Sequence, residues 1–476
     1  MIRKRIYGKN GRFFPLTIIT ALLCIFLTSP GICDSYYSCP YSGPTDELQL
    51  EYTVSDYYLN LDIIFPETQE QEGVIQGTVT MNCRSLINSL SEIHVDLLDV
   101  ETVEIFGVTL DGGIADYSYI NHEIVVHLQE TVDIDEPFQV EVSYAVEGLK
   151  HFQFRPPEDP LYACNAMVTA SRWFPCLHDP RDKAIYTFDI TVPEDKVVAA
   201  NGLKISEINN GDGTKTYIYT ENDPMASYLA TLNISDYETF THDYNGMDII
   251  YFVPQDKYDA AQFDFARDTV ILDFFSGAFG EYPFEKLGLA GVILGGAMEN
   301  QDMISYSIDL ITGDRSNEHT FAHEISHMWW GDSVTLTGCY DVWLNEGFAS
   351  YCEALWAEHI DGSDAYDAVM ADFKSKYFNE DDRNRFPIHE PEIIWGATTY
   401  KKGAWVLHML RWVVGETIFW DILPAYYQQY KYSHATTEQF QDVCELLYGS
   451  DLSWFFTQWI YEQGYPEFNI SYRIVD

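Results

Sequence analysis

The stretch FAHEISHMWWGD, residues 321–332, places two histidines four positions apart, with a glutamate directly after the first. On a helix that advances about 100° per residue, His323 and His327 share one face and Glu324 lies beside them. The apolar residues of the stretch fall on the opposite side of the helix. The pattern HExxH therefore predicts a helix that presents two zinc ligands and a general base to a cleft.

A catalytic zinc site needs a third protein ligand and an open fourth position. The stretch DVWLNEGFASYCEALWAEH, residues 341–359, has an apolar helical face and carries Glu346 nineteen residues after His327. Glu346 is the predicted third ligand. Glu353, two helical turns further along the same face, is the alternative.

His319 complicates the assignment because it lies four residues before His323 and forms a rival histidine pair. No carboxylate lies between these two histidines, so this pair would lack a base. We therefore place His319 beside the site or on the surface. The sequence predicts one zinc ion per chain, bound by His323, His327 and Glu346.

The composition is that of a large folded protein with a strong acidic balance. The 476 residues are 46% hydrophobic, and 74 Asp and Glu stand against 27 Lys and Arg. Such a chain is long enough for more than one domain. Its negative charge argues against a nucleic-acid partner, because phosphates would be repelled.

The N-terminus has the pattern of a secretory signal. A basic segment precedes the apolar run FFPLTIITALLCIFL, residues 13–27, which is short for a membrane span of about 20 residues. We predict a signal peptide at residues 1–33 and a linker at 34–47, so the protein is expected to be secreted or on the cell surface. Membrane association is expected only if this segment stays uncleaved.

Nine cysteines are present, and an exported protein can form disulfides. The pairs Cys164–Cys176 and Cys339–Cys352 would close short loops and are the candidate bridges. No CxxC pair occurs, so a zinc site built from thiolates of the usual spacing is not expected.

Two regions follow the linker. Residues 48–250 alternate apolar and polar side chains between turn signals, which predicts an antiparallel β domain. Residues 251–476 are mainly helical, with a helix at 260–277 and a strand at 288–294. The fold class is therefore an N-terminal β domain followed by an α+β, mainly helical domain.

The chain resembles the membrane alanyl aminopeptidase family of gluzincin zinc peptidases. The motifs that carry this resemblance are GGAMEN (295–300), HEISH (323–327), WLNEGFASY (343–351) and TYKKGAWVLHML (399–410). They occur in the family's order, and similarity extends over residues 51–472. The resemblance implies that the second region is a thermolysin-like catalytic domain.

The resemblance also implies roles for individual residues. Glu299 would bind the free α-amine of a peptide, and Tyr400 would stabilise the oxyanion. Glu324 would take a proton from a zinc-activated water. The neighbouring residues that would line the substrate site are Gly296, Ala297, Met298 and Asn300. The expected substrates are peptides with a free N-terminus.

Two departures from the family pattern matter. The chain ends where the family usually continues, so we expect a short form without the C-terminal domains. Family members often place a Gln or Glu in the β domain as a second amine contact. Asn165 is the nearest polar residue here, and the register leaves that contact unassigned.

Three other functions fit this sequence less well. A gluzincin endopeptidase is disfavoured because a buried amine anchor would reject internal peptide bonds. An epoxide hydrolase of the leukotriene type has no signal of its own in this sequence. A binding protein without catalysis would be expected to lose Glu324 or a zinc ligand, and all of them are present.

Overall fold

A computed structural model describes residues 49–68, 71–98, 102–148, 154, 163–166 and 169–466. The predicted signal peptide (1–33) and linker (34–47) lie outside these residues. Within the described part of the chain, no helix combines the length and the apolar character that a membrane crossing requires.

The first region is built from strands whose side chains alternate between the core and the surface. In β1, Leu59, Leu61 and Ile63 are buried while the residues between them are exposed, which is the two-residue period of a strand. The strands are β1 (Tyr52–Ile64), β2 (Val74–Ser85), β3 (Leu90–Asp96), β4 (Thr102–Leu110), β5 (Gly113–Ile114), β6 (Asp116–Ile120), β7 (Glu123–Val132), β8 (Pro137–Glu147), β9 (Cys164–Ala166), β10 (Lys183–Pro193), β11 (Val197–Ala200), β12 (Leu203–Asn209), β13 (Thr214–Ala226) and β14 (Leu232–Ser235).

These strands form three sheets around one apolar core. The largest has the order β12-β13-β10-β1-β2-β8-β4-β5, and the two smaller sheets have the orders β11-β14-β9 and β3-β7-β6. The sheets are antiparallel as predicted, except that β1 and β10 run parallel, with Leu59 opposite Phe188.

The second region contains a mixed sheet and the helices. Its strands are β15 (Glu238–Tyr244), β16 (Met247–Val253), β17 (Leu287–Val292), β18 (Ala297–Met298), β19 (Met303–Ser307), β20 (Val334–Leu336) and β21 (Ser433–Ala435). Its α-helices are α1 (Tyr258–Asp264), α2 (Asp268–Phe279), α3 (Glu318–His327), α4 (Trp343–Asp361), α5 (Ser363–Asp381), α6 (Gly403–Val414), α7 (Glu416–Tyr430), α8 (Thr437–Tyr448) and α9 (Ser453–Phe456).

Shorter helical turns join these elements. The 3₁₀ turns are Ala170–Arg172, Ser227–Leu229, Gln255–Lys257, Ile308–Leu310 and Cys339–Asp341, and the π-helical turns are Thr398–Lys402 and Thr457–Tyr461.

The mixed sheet shifts the border between the two regions. Its order is β15-β16-β17-β19-β18, and Phe240 and Tyr251 pack in the core of the helices, whereas Ile234 packs in the first core. The change of core thus lies between residues 234 and 240. The boundary expected at residue 250 falls inside β16.

The helix predicted at 260–277 is two helices in the structure. α1 ends at Asp264, whose carboxylate accepts hydrogen bonds from the backbone N–H groups of Thr312, Gly313 and Arg315. The chain then turns to bury Phe265 before α2 begins. Periodicity continues across the break, so it did not reveal this turn.

The predicted disulfide pairs are wrong. Cys164, Cys176 and Cys352 are buried free thiols, and burial raises the pKa of each of them. Cys339 is disulfide-bonded. Every other described cysteine is free. Short sequence spacing was a poor guide, because it does not set the distance between two side chains.

Candidate metal centre

Helix α3 holds the two histidines of the HExxH motif as the spacing predicts. The rings of His323 and His327 lie 4.7 Å apart between centroids and are nearly perpendicular. Both residues are buried. On the other side of the helix Phe321 packs against Phe265. This apolar packing anchors α3 and fixes the direction in which the imidazoles point.

Glu346, in the first turn of α4, completes the group. Its Oε2 atom lies 3.3 Å from Nε2 of His323 and 3.5 Å from Nε2 of His327. The three ligand atoms lie within 4.8 Å of one another. Two imidazoles and one carboxylate from two helices therefore converge on one point.

The other ring nitrogens are already engaged. Nδ1 of His323 lies 3.0 Å from Oε1 of Glu353, and Nδ1 of His327 lies 2.9 Å from the backbone oxygen of Trp330. A proton on each Nδ1 leaves both Nε2 lone pairs free to bind a metal ion. Such outer partners orient zinc-binding histidines in proteins, so the donor set and its surroundings fit a zinc ion.

The two rival ligands take other places. Glu353 contacts the ring nitrogen of His323 that faces away from Glu346, and it also accepts a hydrogen bond from Nζ of Lys401 at 3.1 Å. This contact places Glu353 where it can orient His323. Nδ1 of His319 is buried without a hydrogen-bond partner among the described residues, and His319 does not join the three-residue group.

A glycine lets the chain pass close to His327. Gly331 has a φ of +139°, and a Cβ atom there would lie 3.2 Å from Nδ1 of His327 and 3.2 Å from the side-chain nitrogen of Asn345. A larger residue would also be strained by this backbone conformation. The WWGD sequence therefore allows the close turn that follows α3.

Glu324 and Glu299 form a second group with His327. The carboxylates of Glu299 and Glu324 and a ring nitrogen of His327 also lie within 4.8 Å of one another. Burial raises the pKa of Glu324 to about 7, against the attraction of the two histidines. Burial likewise raises the pKa of Glu299, which the charge of His327 partly offsets.

The GGAMEN segment lies at the edge of the mixed sheet. Ala297 and Met298 are half-buried and pair with β19, and a Cβ atom added at Gly296 would meet no atom within 4 Å. Asn300 is fully buried, and its Oδ1 accepts a hydrogen bond from Ser305 at 2.8 Å. The segment is thus open at Gly296, whereas Asn300 supports it from inside.

Tyr400 lies in the π-helical turn that precedes α6, and its ring is parallel to that of His323 at 6.2 Å. Burial and the nearby Glu346 carboxylate raise the pKa of the phenol. Gly347 and Gly403 let α4 and α6 cross closely, since a Cβ on Gly403 would lie 2.8 Å from the Cα of Gly347. This crossing brings Tyr400 beside the ligand group.

The sequence reasoning missed two contacts from the β domain. The hydroxyl of Tyr228 lies 3.4 Å from the side-chain nitrogen of Asn345 and donates to the Gly331 oxygen at 3.4 Å. Nζ of Lys183 donates to the backbone oxygens of Asp332 and Ser333 at 2.7 and 2.9 Å. Both residues lie in the β domain, in the stretches PMASYLATLNI (224–234) and RDKAIYTF (181–188), which carry no chemical signal of their own.

Asn165, which the sequence left unassigned, is buried and donates to Asn233 at 3.1 Å. It belongs to a polar network inside the β domain. Asp332 is also fully buried, and neither of its carboxylate oxygens has a hydrogen-bond partner among the described residues.

Comparison with protein families gives two matches. The model described as "Peptidase M1 N-terminal domain" matches residues 54–229, and the one described as "Peptidase family M1 domain" matches residues 263–459. Together these matches span most of the chain.

Curated relatives are named as aminopeptidases. "Probable aminopeptidase 1" of Sulfurisphaera tokodaii is 27% identical over 403 residues, which cover 79% of this chain and 50% of the relative. "Aminopeptidase M1-B" of Oryza sativa subsp. japonica is 30% identical over 318 residues, which cover 62% of this chain and 36% of the relative. The matched part is thus half of the first relative and little more than a third of the second.

A solved structure matches over nearly its whole length. It is a mutant of the M1 zinc metallopeptidase from Deinococcus radiodurans bound to a Tyr-Ser-Ala substrate, with 23% identity and a TM-score of 0.75. The match covers 88% of this chain and 96% of that chain. At this level of identity the likeness shows the fold, and it confirms the predicted order of a β domain followed by a helical domain.

Proposed function

Since the chain belongs to the M1 family of zinc metallopeptidases, we propose that it is an exported aminopeptidase that removes the first residue of peptides with a free N-terminus. One observation carries this proposal: the Nε2 atoms of His323 and His327 lie 3.3 and 3.5 Å from the same oxygen of Glu346. The buried carboxylates of Glu299 and Glu324 lie directly beside this group.

His323, His327 and Glu346 are the residues that would hold zinc. When bound there, zinc would act as a Lewis acid and lower the pKa of water at the site. Glu353 and the backbone oxygen of Trp330 keep the two imidazoles in the tautomer and orientation that this binding needs.

Glu324 is the proposed general base. Its carboxylate lies in the same 4.8 Å group as that of Glu299 and the ring of His327, so it can reach a water that attacks the first peptide bond. A base is most effective when its pKa is near the working pH, and burial brings the pKa of Glu324 to about 7. Glu324 would then give the proton to the leaving amine.

Glu299 is the proposed anchor for the α-ammonium group of the substrate. In an amino acid the nitrogen and the carbonyl carbon are about 2.5 Å apart, so an ammonium held by Glu299 places the first peptide bond within reach of Glu324. An internal peptide bond would bring an uncharged amide to this buried carboxylate and leave it unpaired, which is costly. The arrangement therefore favours exopeptidase cleavage.

Tyr400 is the proposed hydrogen-bond donor to the oxyanion. Its raised pKa keeps the phenol protonated at neutral pH, and its ring lies parallel to that of His323. A neutral donor that is already in place stabilises the charge that develops in the transition state without needing to reorganise.

Export is supported by the basic and apolar segments within residues 1–33 and by the disulfide at Cys339, since disulfides persist in oxidising compartments. The test is expression of the full chain with a C-terminal tag in a secretory host. We expect tagged protein in the medium with its N-terminus cleaved near residue 33. Retention of the intact N-terminus in membranes would indicate an anchor instead.

The activity is tested with aminoacyl-p-nitroanilides and short peptides that have a free N-terminus. The same substrates carrying an N-acetyl group are assayed beside them. We expect cleavage of the free substrates and none of the acetylated ones. Glu324→Gln should bind zinc as the wild type does but lose turnover. Cleavage of acetylated peptides at internal bonds would contradict the aminopeptidase proposal, and zinc binding without cleavage of either kind would indicate a binding protein.

A further inference from the structure

A buried ionic cluster that the mechanism does not use lies near Glu299, the proposed amine anchor. One of its members, Asp302, follows Glu299 by three residues. Lys286, Asp302 and Glu221 are each about 1% exposed. Nζ of Lys286 lies 2.8 Å from Oδ1 of Asp302. Glu221 comes from the β domain, whereas Lys286 and Asp302 flank the GGAMEN segment on its two sides, so the cluster joins the two domains.

The lysine and the aspartate also hold the backbone of the β domain. Nζ of Lys286 donates to the backbone oxygens of Ala200 and Gly202. The two carboxylate oxygens of Asp302 accept the Gly202 N–H at 3.0 and 3.1 Å. The Asp302 contacts tie the turn that follows Glu299 to Gly202 of the β domain. Lys286 joins the same place through its ion pair with Asp302 and its own hydrogen bonds to Ala200 and Gly202.

Glu221 fits this cluster as a protonated acid. Its Oε1 accepts the N–H of Asp223 at 2.9 Å, and its Oε2 is buried with no donor within hydrogen-bond reach among the described residues. Burial and the charge of Asp302 raise the pKa of Glu221, against the attraction of Lys286. A proton on Glu221 lets its side chain donate the hydrogen bond that joins it to the carboxylate of Asp302.

Asp302 adopts a left-handed backbone conformation. Its φ is +56°, in a region that favours glycine and that Asp and Asn also visit. The turn is closed by the N–H of Met303, which donates to the oxygen of Asn300 at 3.0 Å. Glycine would fit this turn as well, so the backbone alone does not require the Asp302 carboxylate.

The same turn reaches the catalytic helix. The N–H of Asp302 donates to the sulfur of Met328 at 3.4 Å. Met328 is the residue that directly follows His327. The side-chain amide of Asn201 donates to the oxygen of Gln301 at 2.6 Å. The backbone just after Glu299 is therefore fixed on one side by the β domain and on the other by α3.

We propose that Lys286, Asp302 and Glu221 are positioning residues for the amine anchor: they clamp the turn at residues 300–303 to the β domain and so hold the Glu299 carboxylate at the distance from the reacting centre that an α-ammonium group requires. This inference rests on the role of Glu299 proposed above. It assigns to the cluster a part in selecting substrates with a free N-terminus.

The test measures amine selectivity by binding, without turnover. An amino-acid hydroxamate and its analogue lacking the α-amine are titrated calorimetrically into the zinc-loaded protein. The dissociation constant of the analogue divided by that of the amino-acid hydroxamate measures how strongly the α-amine is bound. Lys286→Met and Asp302→Asn should lower this ratio about tenfold, because small displacements of a positioned group have large effects. The affinity of the analogue without the amine should stay unchanged.

Three further variants sharpen the result. Asp302→Gly relieves the backbone but removes the carboxylate, so it should lower the ratio as Asp302→Asn does. Glu221→Gln keeps a donor in place of a protonated acid and should retain the ratio. The matched control is Lys196→Met, which removes another buried lysine, one that lies beside Asp195 and Asp236 in the β domain, and it should also retain the ratio.

The outcomes separate the two proposals. A wild-type protein that binds both hydroxamates equally would refute Glu299 as an amine anchor and with it the proposed function. A selective wild type whose selectivity persists in Asp302→Asn, Asp302→Gly and Lys286→Met would show that the cluster only stabilises the fold. If Lys286→Met does not fold, the two Asp302 variants decide.

Discussion

Replacing Glu353 by alanine tests how the first histidine is held. The Oε1 atom of Glu353 lies 3.0 Å from Nδ1 of His323 and 3.1 Å from Nζ of Lys401, in a side chain that is 16% exposed. The variant removes the group that orients His323 but leaves His323, His327 and Glu346 in place. Loss of such an outer partner typically weakens metal binding 10- to 100-fold, which is about 1.4–2.7 kcal/mol.

The assay is competition for zinc with a chromophoric chelator, at a pH where the wild type is fully folded. The matched control is Glu358→Ala on the same helix, because Glu358 is more exposed and pairs with Arg411 rather than with a histidine. This control should bind zinc as tightly as the wild type. Thermal unfolding of each zinc-free protein shows whether the fold itself has changed.

Two results would refute the reasoning on Glu353. Zinc affinity equal to that of the Glu358→Ala control would mean that the contact with His323 does not orient the ring. A loss as complete as that of Glu346→Ala would mean that Glu353 is itself a zinc ligand, the alternative that the sequence left open.

Four other outcomes are expected. Glu324→Gln should keep its zinc and lose roughly 10²–10⁴-fold in kcat, whereas equal turnover would exclude it as the base. Tyr400→Phe should lower kcat roughly 10²–10³-fold with little change in KM; a change in KM alone would place Tyr400 in substrate binding. Alkylation under denaturing, non-reducing conditions followed by mass spectrometry should leave Cys339 unlabelled until the protein is reduced. Burial raises the pKa of Asp182 to about 6, so its contribution to stability is fully present below about pH 4 and is lost as the pH rises through 6. Asp182→Asn should therefore reduce the fall in unfolding free energy between pH 4 and 7, by roughly 3 kcal/mol at most, in denaturant titrations; an identical fall in both proteins would contradict the raised pKa.

The grouping of His323, His327 and Glu346 could be predicted from the sequence because local rules decide it. A helical period fixes the relation of His323 to His327, and the apolar face of α4 fixes the side from which Glu346 projects. Glu299 and Tyr400 were predicted from the resemblance to the family's motifs rather than from a helical or strand periodicity. The structure brings all five side chains to one site.

The contacts that hold this site together were beyond the sequence. Glu353 meets Lys401 across 48 positions of the chain, and Lys183 meets Asp332 across 149. Such pairs depend on the angles at which helices and domains pack, which no local pattern encodes. The failed disulfide prediction has the same cause, since Cys352 is fixed by the packing of α4 rather than by its spacing from Cys339.

The sequence also contains a signal for close helix packing that the sequence analysis did not use. Gly347 directly follows Glu346, and Gly403 follows Tyr400 by three residues. Their backbones meet where α4 and α6 cross. A glycine near a candidate site residue on each of two helices predicts such a crossing, because only residues without a side chain allow backbones to approach so closely.

The central claim is that His323, His327 and Glu346 bind a single zinc ion. Anomalous diffraction at the zinc edge, from crystals of the full-length purified protein, tests it most directly. The account predicts one strong peak per chain, within about 2.0–2.2 Å of Nε2 of both histidines and of a carboxylate oxygen of Glu346. A peak coordinated by Glu353 or His319 in place of Glu346, or zinc-loaded crystals without a peak between the two histidines, would contradict it.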